Sequence, residues 1–366
     1  MEQAAARARL EVAVSSNPTP HSLPATSRPG PRPPFREAEG VVVRVDRATA
    51  LLESPRQAGA VRATWGGALL SAVAADPEAA PCTGDVVTWR SWGDGRVTVE
   101  SVRPRRTLLT RGDVAGTSHR QLLAANVDVV AVVEGLLPDP DARRIARLLT
   151  LAWSSGAEPV VLLTKADLVP DVAQLAAELA IGAGCPVLPV SAITGDGVEG
   201  VRALLDGGRV MALLGASGVG KSSLVNALAG DDVMQVNSLR ADGKGRHTTV
   251  TRELHRVAGG AVIDSPGLRS VGLADATGLD LTFADVLHCA SGCRFSDCSH
   301  GREPGCAVQA AVDAGDLDEG RVEAWRQLVE EGRRQEIRRD ARLLAERRRQ
   351  RRIQSRAMRR LGTPRP

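Results

Sequence analysis

Tyrosine is absent from this chain of 366 residues, phenylalanine occurs three times and tryptophan five, so aromatic side chains make up 2% of it. A chain so poor in ring faces has few platforms on which to stack bases. Trp65, Trp89 and Trp92, which fall in a β-rich part, are therefore expected to be core residues. Long apolar runs are also missing: no window approaches the ~18 consecutive apolar residues of a membrane-spanning helix. No basic stretch followed by an apolar one opens the chain, so nothing reads as a secretory signal. A cytoplasmic protein with no membrane partner is the expectation. Cysteine is scarce, at six, yet four crowd between Cys289 and Cys306. In a reducing compartment such clustering favours a metal over disulfides, and leaves Cys82 and Cys185 as isolated buried thiols.

Net charge is low, formally +4, but unevenly spread: Arg333 to Arg365 holds fourteen arginines against three acids. That asymmetry points to a polyanionic partner held by the C-terminal end. The other end, with "SSNPTPHSLPATSRPGPRPP", is Pro/Ser-rich and lacks apolar periodicity, so residues 1–36 are expected to be a disordered tail. From 37 to 105 the text changes to short β-like runs, "GVVVRV", "AVRATW", "DVVTWR" and "RVTVESV", the last two flanking the hairpin dipeptide Asp94-Gly95. This spacing predicts a small barrel, OB-like or SH3-like. "RPRRTLLTRG" reads as a basic patch at its exit.

From Asn126 to Gly267 apolar runs "VDVVAVVEGLL", "EPVVLLTKADL", "CPVLPVSA" and "RVMALLGASG" alternate with helical patterns such as "DARRIARLLTLAW" and "VAQLAAELAIGAG". The alternation predicts an α/β domain, a parallel sheet covered by helices. Within it Gly215, Ala216, Ser217, Gly218, Val219, Gly220, Lys221, Ser222 and Ser223 match G-x4-G-K-[ST] between an apolar strand and a helix. Glycines there let backbone N–H groups converge on the β-phosphate, Lys221 reaches the β/γ-phosphates and Ser222 ligates Mg²⁺. About forty residues on, "AVIDSPG" ends a strand with Asp264, suited to hold Mg²⁺ through water, while Gly267 can turn its N–H toward the γ-phosphate. Between them "GKGRHTTVTREL" offers Thr248 or Thr249 as the switch residue completing the Mg²⁺ shell.

Base recognition precedes phosphate recognition in this chain. "LLTKADL" sets Thr164, Lys165, Asp167 and Leu168 after one strand, and "VSAITGDG" sets Ser191 and Ala192 after the next. A carboxylate such as Asp167 accepts both N1–H and N2–H₂ of guanine, a pairing adenine cannot reproduce. Lys165 can lie over the purine and the Ala192 N–H can meet O6. Downstream, Cys293-x4-Cys298-x-His300-x5-Cys306 supplies four N/S donors that fit tetrahedral Zn²⁺ and leave no open catalytic position. Cys289 is an alternative first ligand. Beyond the cluster a long, charged helix is expected, with sparse apolar positions Leu328, Ile337, Leu343, Leu344 and Ile353, partly docked and partly solvated or ordered by a partner.

Taken together, the barrel, "GASGVGKSSL", "GKGRHTT", "DSPG" and "CRFSDCSHGREPGCAV" resemble the ribosome small subunit-dependent GTPase A family of circularly permuted GTPases, over about residues 37–330. The resemblance implies an OB-fold at 37–105, a permuted GTPase domain at 106–272, a zinc-binding domain at 273–330 and an Arg-rich helical tail at 331–366. It also implies one structural zinc on Cys293, Cys298, His300 and Cys306, with Cys289 a spare thiol. Binding to the small ribosomal subunit and its rRNA, stimulated GTP hydrolysis and a role in late maturation follow as expectations, for a monomeric protein. The family's base-reading motif usually begins with Asn where this chain has Thr164. Leu268 takes the place where many GTPases carry a water-orienting Gln, and His247 is the candidate to replace it, which the resemblance supports. A passive RNA-binding scaffold that only senses GTP or GDP is the alternative.

Overall fold

The computed structural model describes residues 35–54, 57–112, 120–232, 252–265, 272–273, 277–301 and 303–361. Its first unit is built from β1 (Phe35–Asp46), β2 (Thr49–Ser54), β3 (Gln57–Trp65), helix α1 (Gly67–Ala75), β4 (Val86–Trp92) and β5 (Val97–Val102). The strands pair in the order β1-β2-β3-β5-β4, and β4 returns to β1 from Phe35↔Trp92 to Val41↔Val86, closing the barrel. A helix between the third and fourth strands and a parallel β3–β5 pair, Trp65↔Val99, are OB-fold features, which decides between the two barrels left open by the sequence. Asp94 and Gly95 turn the β4–β5 hairpin: Gly95 takes φ +84°, and the Arg96 N–H donates to the Asp94 carboxylate at 3.1 Å.

Strand β1 explains its own unbroken apolar run. Val42 points into the barrel with Leu52, Val87, Trp89 and Val99, whereas Val41 and Val43 point out into the larger core next door. A strand buried on both faces needs apolar residues at successive positions, not alternate ones. Trp89 is buried, as expected; Trp65 and Trp92 are half-buried. Of the basic patch expected at "RPRR", Arg103 and Arg106 stay largely exposed, but Arg105 does not. Arg105 grips the fully buried Asp85 carboxylate with Nε and a terminal nitrogen, both at 2.8 Å, and donates to the Glu78 and Ala80 carbonyls. Arg106 pairs with Asp128 at 2.9 Å. Burying the Asp85 carboxylate without such a partner would cost far more than leaving Arg105 on the surface gains.

A hairpin that the sequence reading did not separate, β6 (Leu108–Gly112) with β7 (Arg120–Ala125), leads from the barrel into the second sheet. There the parallel order is β10 (Val187–Val190), β9 (Glu158–Thr164), β8 (Val129–Gly135), β11 (Val210–Leu214) and β13 (Gly260–Asp264), with β12 (Glu253–Val257) antiparallel on β13. A single pairing, Arg44↔Glu253, joins β12 to β1. Strict alternation divides the sheet's side chains. Val130, Val132, Val161, Leu163, Ala212 and Leu214 face α2 (Ala142–Ser154) and α3 (Val172–Ala183). Val129, Ala131, Val160, Leu162, Met211 and Leu213 face α4 (Val198–Ala203) and α5 (Lys221–Ala229). Helix α2 shows why its sequence is helical: Asp141 caps it by accepting from the Arg144 N–H at 3.0 Å, and Ile145, Leu148, Leu149 and Ala152 make one buried stripe.

The C-terminal unit comprises α6 (Leu279–Thr282), α7 (Ala284–Ala290), α8 (Ala307–Ala314) and α9 (Glu319–Leu361). Helix α9 is 43 residues long and runs uninterrupted through the boundary expected at 330/331. Val322, Ala324 and Leu328 bury its first turns, Arg147 of α2 clasps Glu331 at 2.7 Å, and Ile337 is exposed. Of the expected apolar positions Leu328 is docked and Ile337 exposed, while the side chains of Leu343, Leu344 and Ile353 lie outside the described residues. Among the described residues no helix is long and apolar enough to cross a membrane.

Candidate nucleotide site and metal centre

Strands β8 and β11 are neighbours, yet β8 feeds helix α2 on one face of the sheet and β11 feeds α5 on the other. The crevice beyond their carboxyl ends is a topological switch point, where open α/β sheets bind ligands. The glycine-rich loop lies there. An added Cβ at Gly215 would stand 2.3 Å from the Val133 carbonyl, and Gly218 and Gly220 take φ +82° and +97°, so backbone crowding and left-handed turns both demand glycine. Ala216 is half-buried, Ser217 and Gly218 are exposed, and Val219 is buried against β8 and α5. Lys221 opens α5, with Ser222 and Ser223 half-buried behind it.

Lys221 is 6% exposed and its ammonium donates to the Gly215 and Ala216 carbonyls at 3.0 and 2.7 Å. Burial lowers its pKa, and Asp264 pulls the other way. Asp264 ends β13 at 3% exposure; burial raises its pKa, against the pull of Lys221 and His255. Its Oδ1 and the adjacent Ser265 hydroxyl are buried with no hydrogen-bond partner among the described residues. A buried carboxylate oxygen left unpaired is costly. The donor set of Ser222 and Asp264 fits a hard, hydrated cation such as Mg²⁺.

Base-reading residues close the other side of the crevice. Thr164 ends β9, 4% exposed, and its hydroxyl is aimed at two carbonyls, Val219 O in the phosphate loop and Glu134 O at 3.1 Å. Thr164 therefore ties the end of β9 to the phosphate loop and to the end of β8. Lys165 follows in the left-handed region at φ +62°, its ammonium 3.4 Å from the Leu137 carbonyl. Asp167 and Leu168 sit exposed in a 3-10 turn, Ala166–Leu168. The fully buried Ser191 donates to Asp167 Oδ1 at 2.6 Å while accepting from the Ile193 and Thr194 N–H groups at 3.3 and 3.1 Å. That arrangement aims the carboxylate, and Ala192 sits beside it. His247, Thr248, Thr249, Gly267 and Leu268 lie outside the described residues.

The sequence reading missed Glu134 and Arg144. Glu134 is 1% exposed at the end of β8 and is held by the Arg144 guanidinium, with Nε to Oε2 at 2.9 Å; that carboxylate raises the pKa of Arg144. The pair fixes the strand end whose carbonyl faces Thr164. An acid inside the apolar run "VDVVAVVEGLL" was the available signal.

At the second site Cys293, Cys298, His300 and Cys306 offer ligand atoms within 4.8 Å of one another. Cys293 and Cys306 Sγ stand 3.4 and 3.9 Å from His300 Nδ1. Partial burial alone would raise the Cys293 pKa, but the Val308 and Ala307 N–H groups at the start of α8 outweigh it and lower it. Cys298 is instead pushed up to about 11 by partial burial and by its thiol neighbours. Three thiols this close ionise together only around a cation, and three sulfurs with an imidazole suit Zn²⁺. Cys289 is outside the cluster, half-buried against the large core. Two clamps from α9 were not foreseen: Trp325 packs on the His300 ring at 5.3 Å between centroids, and Arg326 donates to the His300 carbonyl.

A parallel sheet whose base-reading strands come before its phosphate-loop strand, with the loops converging at one switch point, defines a circularly permuted P-loop GTPase. The RsgA GTPase family pattern matches residues 102–274. A Streptomyces avermitilis protein named small ribosomal subunit biogenesis GTPase RsgA is 47% identical over 322 residues, spanning 85% of this chain and 84% of its own. Among solved structures, YjeQ from Thermotoga maritima superposes with a TM-score of 0.57 at 28% identity over 80% of this chain and 97% of its own. YloQ, described as a circularly permuted GTPase, shares the fold with a TM-score of 0.57 at 24% identity over 82% and 96% of the two chains. The chain belongs to the RsgA GTPase family.

Proposed function

We propose that this GTPase works as a monomer in the cytoplasm, binds the small ribosomal subunit, is stimulated by it and acts late in its maturation. One observation carries the nucleotide part: Asp167, aimed by Ser191, and Lys221, facing Asp264, converge on one switch point. The relatives' name supports the ribosomal part. Ser222 and Asp264 would hold Mg²⁺, which when bound would supply positive charge to offset that developing on the phosphates. Lys221 and the loop N–H groups position the β- and γ-phosphates, and Thr248 or Thr249 completes the cation's shell.

Leu268 cannot polarise water, so His247 orients the attacking water when the subunit is bound. Zinc on Cys293, Cys298, His300 and Cys306 is structural, joining a polar loop that has no core of its own to α9. Beyond Glu346, "RRRQRRIQSRAMRR" lies along the phosphate backbone of rRNA and adds salt-sensitive affinity. The test is phosphate release from GTP, with ATP as control, with and without purified small subunits. Stimulation confined to GTP, and lost in His247→Ala while nucleotide still binds, supports the reading. Unstimulated turnover, or equal use of ATP, overturns it.

A further inference from the structure

Apart from the nucleotide crevice, the fold holds a large open cleft of about 630 Å³ where α2 and α3 meet α7, the loop before α9 and the first turn of α9. No phosphate- or base-reading residue lines it. Its floor is apolar, formed by Ile145, Leu149, Leu179, Val187, Phe283 and Leu317. Its polar groups are mostly acids: Asp141, Glu178, Asp285, Asp316 and Asp318, against Arg143 and Arg321. Two ion pairs cancel here: Arg321 is held by Asp285 at 2.8 Å and by the Thr282 carbonyl at 2.7 Å, above the Phe283 ring at 4.9 Å, and Asp141 pairs with Arg144 at 3.3 Å, which leaves Glu178, Asp316 and Asp318 against Arg143. Asp141 and Asp318 cap α2 and α9, whereas the exposed Glu178 and Asp316 face outward at the rim.

Volume and apolar floor suit a bound group of side-chain size or larger. Three unpaired carboxylates against one arginine leave the cleft net negative, which attracts cationic groups and repels nucleic-acid phosphates. We propose that the cleft docks a short basic segment of a small-subunit protein, with one large apolar side chain as its anchor. This rests on the ribosomal reading above. The chain then divides its labour: the arginines at the far end of α9 take the RNA backbone, and the acidic cleft at the near end takes a cationic peptide. The first turn of α2 serves both the cleft and the nucleotide site, since Asp141, Ala142 and Arg143 line the cleft while Arg144 reaches Glu134 below Thr164.

The test places the photo-crosslinker benzoylphenylalanine at position 179 of the full chain, bound to a non-hydrolysable GTP analogue, on purified small subunits. The expected product is an adduct to a Lys/Arg-rich stretch of a subunit protein. In a second chain Glu178→Lys with Asp316→Lys lowers the adduct yield about tenfold, as expected when two rim attractions become repulsions. Unstimulated GTP turnover by that variant stays unchanged and certifies its fold. An adduct to rRNA, to a second copy of this chain or to the chain itself overturns the proposal. So does co-sedimentation with subunits without any adduct. Failure to co-sediment at all instead refutes the ribosomal reading, and this proposal falls with it.

Discussion

Replacing Thr164 by valine isolates one contact between the two halves of the nucleotide site. Valine keeps the shape and loses the hydroxyl that faces Val219 O and Glu134 O, in a position 4% exposed. A hydroxyl has one proton, so one hydrogen bond is lost, and a buried carbonyl goes without it. Such a loss costs about 1–1.5 kcal/mol. The dissociation constants of GTP and GDP should therefore both rise about tenfold. Preference for guanine should be unchanged, because Asp167 and Ser191 are untouched. Thr164→Asn, with two amide protons in reach of the two carbonyls, should bind at least as tightly as the parent chain. Titration calorimetry with GDP and the non-hydrolysable analogue measures both variants. Unaltered affinity in the valine variant would refute the tie, and a loss confined to guanine over inosine nucleotides would show that Thr164 reads the base instead.

Asp167→Asn should weaken GTP by about a hundredfold, since a charge-assisted double contact is lost, without weakening xanthosine triphosphate comparably; equal loss for both nucleotides would remove Asp167 from base reading. Metal analysis should find about one zinc per chain, and stripping it with a chelator should shift Trp325 emission and lower the melting temperature, because His300 packs on that ring. Retained melting temperature after zinc removal would mean the four donors hold nothing. Burial pushes the Cys185 thiol up to about 11 and Cys82 well above its ordinary value. Both are favoured protonated in the fold, so their contribution to stability is complete below the ordinary value of 9.0 and declines as pH rises through 11. Denaturant midpoints from pH 8 to 11 should fall, and less steeply for Cys185→Ala; a parallel decline would exclude that thiol as a cause.

Much of the nucleotide site was legible because its signals are local. A phosphate loop needs glycines and one lysine within eight residues, and a base reader needs a carboxylate just past a strand. Thr164 was legible as a departure, but its consequence was not, since the hydroxyl's partners lie thirty and fifty-five residues away in sequence. Glu134 and Arg144 were missed for the same reason: an acid in an apolar run signals only that something must pair with it. The zinc ligands were legible from spacing, whereas Trp325 and Arg326, one helix further on, carried no local mark.

The sequence by itself marked the segments proposed to bind phosphate, base and metal, with the base-reading motifs ahead of the phosphate loop along the chain. It also determined the two-sided sheet, because an unbroken apolar run is the mark of a strand buried on both faces. Tertiary structure decided which charges are available. Arg105 and Arg338 look alike as letters, yet one grips the buried carboxylate of Asp85 and the other belongs to the Arg-rich stretch of α9. It also decided that β1 serves two cores at once and that α2, α3 and α9 leave an acidic cleft between them. The reason is physical: backbone preference and side-chain periodicity act over a few residues, whereas desolvation and charge pairing depend on neighbours that only the folded chain brings together.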